Sequence, residues 1–248
     1  MKKSLTLMLA LICLLALLPA RAEQEEDPLA FFAVRHGSRS EKKIAVTVDD
    51  SFDLAYTWKI RDLFQELGIV GTFFPIGIQI HEEDGAEWQK VLDQGNEIGS
   101  HNFGHYKMGG AGGRSILTSL GRFQQTLDAA LGYHYQVHCF RPPFGNTDDE
   151  NGRSANFREA VKRFGYEHVI LWDVSQTNPD EARRRVQNGS ILLYHARWAD
   201  YSCLKTLVPQ LLEKGYEFVT VSQLLGFGPN ETSPEPYVFR LEDYLTEQ

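Results

Sequence analysis

The feature that most restricts this chain's fold is an alternation of two hydrophobic periods. Short, β-branched apolar runs alternate with longer segments whose apolar residues recur every three or four positions. Lys43-Ile44-Ala45-Val46-Thr47-Val48 reads as a buried strand, and Asp49-Asp50 ends it. Leu54, Trp58, Leu63, Phe64 and Leu67 then follow at helical spacing, and Gly68 stops the helix. The pattern repeats down the chain. Strands are predicted over 69–76, at 97–99, ending at Cys139-Phe140-Arg141, and over 169–172, 190–194 and 218–221. Helices are predicted between them, over about 86–94, 115–131, 156–164, 180–186 and 204–214. Strands that return through helices imply a mostly parallel sheet covered by helices, so the class is α/β. One domain over 41–226 accounts for this alternation, and no internal repeat interrupts it. Residues 23–40 read as an N-terminal linker with a possible first strand at Phe31-Phe32-Ala33-Val34. Residues 227–248, containing Pro, Glu and Tyr, read as a tail outside the core.

The start of the chain is a separate object. Met1-Lys2-Lys3 is basic, Leu5 to Leu18 is nearly unbroken apolar sequence, and Ala20-Arg21-Ala22 is a small-x-small cleavage pattern before the acidic run 23–27. This layout predicts a signal peptide over 1–22 and a secreted or cell-envelope protein with no stable membrane anchor after cleavage. The apolar run is short for a bilayer span. Its removal takes away Lys2, Lys3 and Arg21 and no acid, moving the formal charge from −8 to −11. So acidic a chain lacks the basic patches of a nucleic-acid binder. Cys139 and Cys203 remain, and they read as two small buried residues rather than as a disulfide.

In parallel α/β proteins, reactive groups collect where strands end and loops begin. Four such ends carry unusual polar residues. Asp49-Asp50 puts two adjacent carboxylates at a strand end, where one can hold a metal ion while its neighbour serves as a base; by themselves they read better as a turn and helix N-cap. His101-Asn102-Phe103-Gly104-His105 spaces two histidines so that both can reach one cation. Arg141 before Pro142-Pro143 fixes a cation on a stiff extended backbone. His195 follows the apolar run Leu192-Leu193-Tyr194. Together, a carboxylate and two histidines make a zinc-type ligand set, and the second carboxylate and third histidine supply a base and an acid. That combination serves metal-assisted hydrolysis of an amide or ester.

These motifs, in this order, resemble the polysaccharide deacetylase family (NodB homology domain, carbohydrate esterase family 4). Gly71-Thr72-Phe73-Phe74, Asn96-Glu97-Ile98-Gly99-Ser100-His101 and Gly215-Tyr216-Glu217-Phe218-Val219-Thr220-Val221 extend the resemblance over about 41–226. It implies a distorted (β/α) barrel and a hydrolase that removes N-acetyl groups from a polysaccharide and releases acetate. Asp50, His101 and His105 would hold one divalent ion, with zinc expected. Asp49 would be the general base, oriented by Arg141. The backbone N–H of Phe144 would stabilise the oxyanion, and His195 would be the general acid. Leu193, Tyr194, Asn178 and Pro179 would line the substrate pocket. Peptidoglycan or another N-acetylglucosamine-containing glycan is the leading substrate.

The chain also departs from the family pattern. Ser51 stands where Gly is usual, and Asn102 where Ser or Thr is usual. Asn178 replaces the carboxylate that partners the acid histidine, and Pro179 replaces a pocket Trp; Asp173 or Asp180 could supply the missing charge instead. Two alternatives keep the fold: an O-acetyl esterase, and a non-catalytic carbohydrate-binding relative. A third comes from Arg35-His36-Gly37-Ser38-Arg39, which resembles the start of histidine acid phosphatases, although no matching proton-donor motif follows.

Overall fold

A computed structural model describes residues 27–147 and 154–245. The segment read as a signal peptide lies outside the described residues. The two-period pattern becomes a closed ring of short parallel strands. β1 (Ala33–Val34) is followed by the central β2 (Lys43–Asp50), α1 (Leu54–Glu66) and β3 (Thr72–Pro75). Next come α2 (Gly85–Asp93), β4 (Glu97–Ile98), α3 (Gly113–Leu131), β5 (His134–Tyr135), α4 (Ser154–Phe164) and β6 (Val169–Ile170). The chain ends with α5 (Pro179–Arg185), β7 (Ile191–His195), α6 (Trp198–Glu213), β8 (Glu217–Phe218), α7 (Val221–Leu225) and β9 (Thr232–Ser233).

The main sheet runs β4-β3-β2-β7, with β8 pairing the start of β2, and each of these pairs is parallel. Single backbone links carry the ring onward. Ser100, just past β4, bridges Phe140 in parallel; Ile170 N–H donates to Phe140 O at 2.8 Å; Val174 bridges Leu192 of β7 in parallel. The sheet thus closes on itself without regular strands on one side, which is the distorted barrel expected. The strand predicted to end at Arg141 is reduced to that one bridge.

Alternation along β2 sorts its side chains into two cores. Ile44, Val46 and Val48 join the larger cluster beneath the helices, together with Phe73, Leu192, Phe123 and Leu204. Ala45 belongs to a smaller cluster with Val34, Phe74, Ile170 and Ile191, inside the ring. Thr47 and Asp49 follow Ala45 on that inner face. Each fully buried Phe or Ile contributes about 1.5–3 kcal/mol, so both clusters favour one register strongly. Along α3, Ile116, Leu117, Leu120, Phe123 and Leu127 form the buried stripe, and left-handed Gly132 caps the end.

The tail docks on the outside of the core. β9 pairs antiparallel with β5, and Leu241, Tyr244 and Leu245 pack on the larger cluster. Phe239 lies so close to Gly121 of α3 that a Cβ there would meet its ring at 1.9 Å. A mid-helix glycine, normally a loss of about 1 kcal/mol against Ala, is what lets the tail dock. The N-terminal stretch is also part of the fold: β1 pairs with β6. Cys139 and Cys203 are buried free thiols.

Candidate metal centre and active site

β2 delivers the two adjacent carboxylates, and the backbone then turns sharply. Asp50 and Ser51 take left-handed φ values of 72° and 58°, and Ser51 N–H donates to Asp49 O at 2.9 Å. Asp53 caps α1 through Tyr56 N–H. The turn sends Asp49 and Asp50 in different directions, as two neighbours with separate tasks require. The other non-glycine residues with positive φ among those described are Asn102, His105 and Phe144. All five therefore sit in three of the four site motifs. Each costs on the order of 1–2 kcal/mol, and such strain persists where surrounding contacts over-determine it.

Asn102 explains how the histidine loop holds its shape. Its side-chain oxygen accepts from Gly104 N–H at 3.0 Å and His105 N–H at 2.7 Å, and its Nδ2 donates to Tyr106 O. Asparagine tolerates φ of 61° better than Ser or Thr, so the departure at 102 suits the geometry. Ser51 has no such compensation: its hydroxyl is buried without a hydrogen-bond partner.

Asp50, His101 and His105 present ligand atoms that all lie within 4.8 Å of one another. His101 Nδ1 lies 2.8 Å from Arg141 O, a carbonyl that can only accept, so Nδ1 donates and Nε2 is the nitrogen turned toward the metal set. That nitrogen faces Asp50 Oδ1 at 3.2 Å, and His105 Nε2 faces the same oxygen at 3.1 Å. Asp50 Oδ1 is nevertheless buried with no hydrogen-bond donor. A carboxylate oxygen and two imidazole nitrogens converging this closely need positive charge among them, a proton or a metal ion. The residues present therefore fit a divalent ion, and the backbone carbonyl behind His101 is the outer-shell support such ligands need. Burial pushes the Asp50 carboxyl up, but the imidazoles around it, His101 foremost, outweigh burial and hold it below its ordinary value. Burial lowers the His105 imidazole, against the pull of Asp50.

Arg141 is fully buried and spends its guanidinium inside the ring. Nη1 donates to Asp49 Oδ1 and Thr47 Oγ1, each at 2.6 Å, while Nε donates to Ile170 O and Nη2 to Leu171 O. Phe74 lies beneath it, 4.4 Å from the ring centroid. Asp49 Oδ1 is thereby fixed, and Oδ2 points toward the metal set, 3.9 Å from His101 Nε2. Phe144 stands in the turn Pro143–Gly145, and its N–H donates to no group among the described residues. His195 ends β7 beside Asp49, with Nε2 3.9 Å from Asp50 Oδ2.

The structure thus gathers Asp49, Asp50, His101, His105, Arg141, Phe144 and His195 from four sequence-distant segments. Of the remaining expected pocket residues, it places Tyr194, Asn178 and Pro179 elsewhere or in other roles. Tyr194 points into the outer core, fully buried beside Cys203 Sγ, because strand alternation gives it the opposite face from His195. Leu193 shares the His195 face. Asn178 is exposed and caps α5 by accepting from Asp180 N–H and Glu181 N–H, with Pro179 as the first helical residue. No described contact links either residue to His195. Asp173 is taken by Arg39, Ser190 and Ile191 N–H, and Asp180 by Arg183. Among the described residues, then, no second carboxylate partners His195. The Arg35–Arg39 motif is structural: Arg39 also holds Asn188 O, and His36 Nδ1 donates to Gly37 O.

Sequence reading missed Thr47, the second anchor of Arg141, and an aromatic rim. Phe52 and Phe144 bracket the His105 ring at centroid distances of 5.2 and 4.7 Å, and both are more than half exposed. Trp198, one turn past His195, is 67% exposed. Their place two or three positions after Asp50, Arg141 and His195 in the chain was the available signal.

The family profile described as polysaccharide deacetylase matches residues 36–169. A peptidoglycan-N-acetylglucosamine deacetylase of Bacillus cereus is 31% identical over 206 residues, spanning 76% of this chain and 90% of that protein. The peptidoglycan-N-acetylmuramic acid deacetylase PdaC of Bacillus subtilis is 27% identical, over 75% of this chain but only 39% of its own length. Among solved structures, BA3943 of Bacillus anthracis, a family-4 carbohydrate esterase pseudoenzyme, aligns with a TM-score of 0.67 at 23% identity, covering 78% of this chain and 68% of that one. That likeness shows the fold.

Proposed function

Because the chain belongs to the polysaccharide deacetylase family, we propose that it hydrolyses N-acetyl groups on a cell-wall glycan, peptidoglycan foremost, with zinc held by Asp50, His101 and His105. The observation that carries this reading is the buried, donor-less Asp50 Oδ1 facing two imidazoles. An ion bound there supplies a Lewis acid that polarises the acetamide carbonyl and acidifies the attacking water.

The chain's own groups do the rest. Arg141 and Thr47 fix Asp49 so that one carboxylate oxygen is anchored and the other is left to take a proton from water. The Phe144 N–H is a pre-oriented donor for charge developing on the acetamide oxygen. His195, on the far side of Asp50, donates a proton to the departing amine. Phe52, Phe144 and Trp198 give a sugar apolar faces to stack on. The amino-terminal sequence adds a compartment to the proposal, the cell envelope.

Acetate release from N-acetylglucosamine oligomers and purified peptidoglycan tests this, using chelated protein, zinc-restored protein, and the Asp50→Ala and Asp49→Asn variants. Metal-dependent release, lost in both variants, is the expected result. A tightly bound metal without release from any glycan would overturn it in favour of an ester substrate or a binding-only protein.

A further inference from the structure

The loop that carries the two histidines has a second face. Phe103 and Tyr106 turn away from the metal set toward α3. Phe103 N–H donates to Ser119 Oγ at 3.0 Å, and Tyr106 OH donates to Ser115 O. Between loop and helix runs a groove of about 450 Å³, lined by Phe103, Gly104, Tyr106, Arg114, Thr118 and Arg122. Small-ligand clefts are typically about 300–1,000 Å³, so this one has room for a sugar ring with its substituent.

Its charge is the unusual part. The chain carries a formal net charge of −8, yet this groove contains two arginines and no acid. The Arg122 guanidinium carbon sits over the Phe103 ring, 3.8 Å from its centroid. Neither Arg114 nor Arg122 makes an ion pair among the described residues, whereas Arg39, Arg61, Arg141, Arg163, Arg183 and Arg197 each have an acid. Stacking on Phe103 pre-orders the Arg122 guanidinium, which lowers the entropy lost when it takes a planar anion. Gly104 and Tyr106 are the immediate chain neighbours of His105, so the groove and the metal set share one loop.

We infer that this groove is a subsite for a carboxylate-bearing sugar next to the one being deacetylated, with Arg114 and Arg122 taking the carboxylate and Phe103 and Tyr106 the ring. The inference rests on the glycan-deacetylase reading above and adds a substrate requirement to it. Peptidoglycan alternates N-acetylglucosamine with N-acetylmuramic acid, whose lactyl ether ends in a carboxylate wherever no stem peptide is attached. A neutral polymer of N-acetylglucosamine has no group for the two guanidiniums.

The test compares three tetrasaccharides: the alternating glucosamine–muramic acid form with free lactyl carboxylates, its lactyl methyl ester, and the form carrying stem peptides. Equilibrium binding to the zinc-loaded Asp49→Asn protein, which leaves substrate intact, is measured beside acetate release by the unaltered protein. The free acid should bind about tenfold tighter than the ester, and raised salt should erode that difference. In Arg114→Gln/Arg122→Gln, the ratio of acid to ester affinity should collapse toward one. Equal affinities for acid and ester, a preference that survives the double substitution, or tight binding of the peptide-bearing form alone would overturn the subsite. Failure of the catalytic reading shows separately, as absent acetate release while the acid-over-ester preference persists.

Discussion

Two buried carboxylates, at opposite ends of the ring, show what separates a site from a scaffold. Glu97, near the strand starts, is only 2% exposed and receives Thr72 Oγ1, Ser222 N–H, Ser222 Oγ and Cys139 Sγ. Its lone pairs are spent. Asp50, at the strand end, is likewise largely buried, but Oδ1 has no donor and faces two imidazole nitrogens. Both are carboxylates on strands of one sheet, with β3 between them. Burial therefore does not mark the functional group; unmet bonding capacity does. The Glu97 end gains stability from its network, whereas the Asp50 end gives up stability and, with its five left-handed residues, holds a geometry that only a bound ion completes.

The contrast is broken or sharpened by four experiments. Asp50→Ala should lower kcat/KM by more than about a hundredfold, the upper range for losing even an outer-shell partner, while the melting temperature of the chelated protein holds or rises. A clear loss of apo stability would make Asp50 a scaffold residue like Glu97. Glu97→Ala should do the reverse. It strands several buried donors, so we expect a loss of about 2–4 kcal/mol, or roughly 5–15 °C in Tm, with activity per folded molecule kept. Calorimetry together with active-site titration checks both halves.

Acid should act through the Asp50 end. His105 and Asp50 both sit below their ordinary values when folded, so the unfolded chain takes up protons first as pH falls. Stability of the chelated protein is then full above about pH 6.5 and declines below it, first through His105 and further down through Asp50. Denaturant melts from pH 7.5 to 4 on this protein and on His105→Ala should show the decline in the first and a shallower one in the second; identical profiles would remove His105 from the account. The smallest effect belongs to Ser51→Gly. It relieves φ of 58° and removes a buried hydroxyl with no partner, so a gain of up to about 1 kcal/mol is expected, read as a small rise in Tm. A loss would mean that the hydroxyl has a role in the site.

Much of this was legible in the residues. The alternation of periods gave the class and most helices to within a few positions: 86–94 was expected where Gly85–Asp93 stands, and 156–164 where Ser154–Phe164 stands. Motif spacing gave the residues that converge on the metal set. What escaped were features whose partners are remote or whose signal is short. α7 begins with Thr220 and Gln223 in a capping box, yet the run Phe218 to Val221 reads as a strand. The tail is polar by composition, but Phe239 finds Gly121 more than a hundred residues away. Asn178 occupies the place of a pocket residue in the motif and is spent instead on the two N–H groups that open α5.

The sequence by itself determined the parallel α/β class, the order of strands and helices, and which polar side chains stand at strand ends, because these depend on local periodicity and on neighbours within a few residues. Only the tertiary structure decided which carboxylate oxygen is anchored and which is free, that Tyr194 belongs to the core, that the tail docks, and that Asp50 Oδ1 is left without a donor. The physical reason is that an unmet acceptor is defined by every atom around it. Those around Asp50 come from the 101–105 loop and from position 195, segments that meet only when the ring closes.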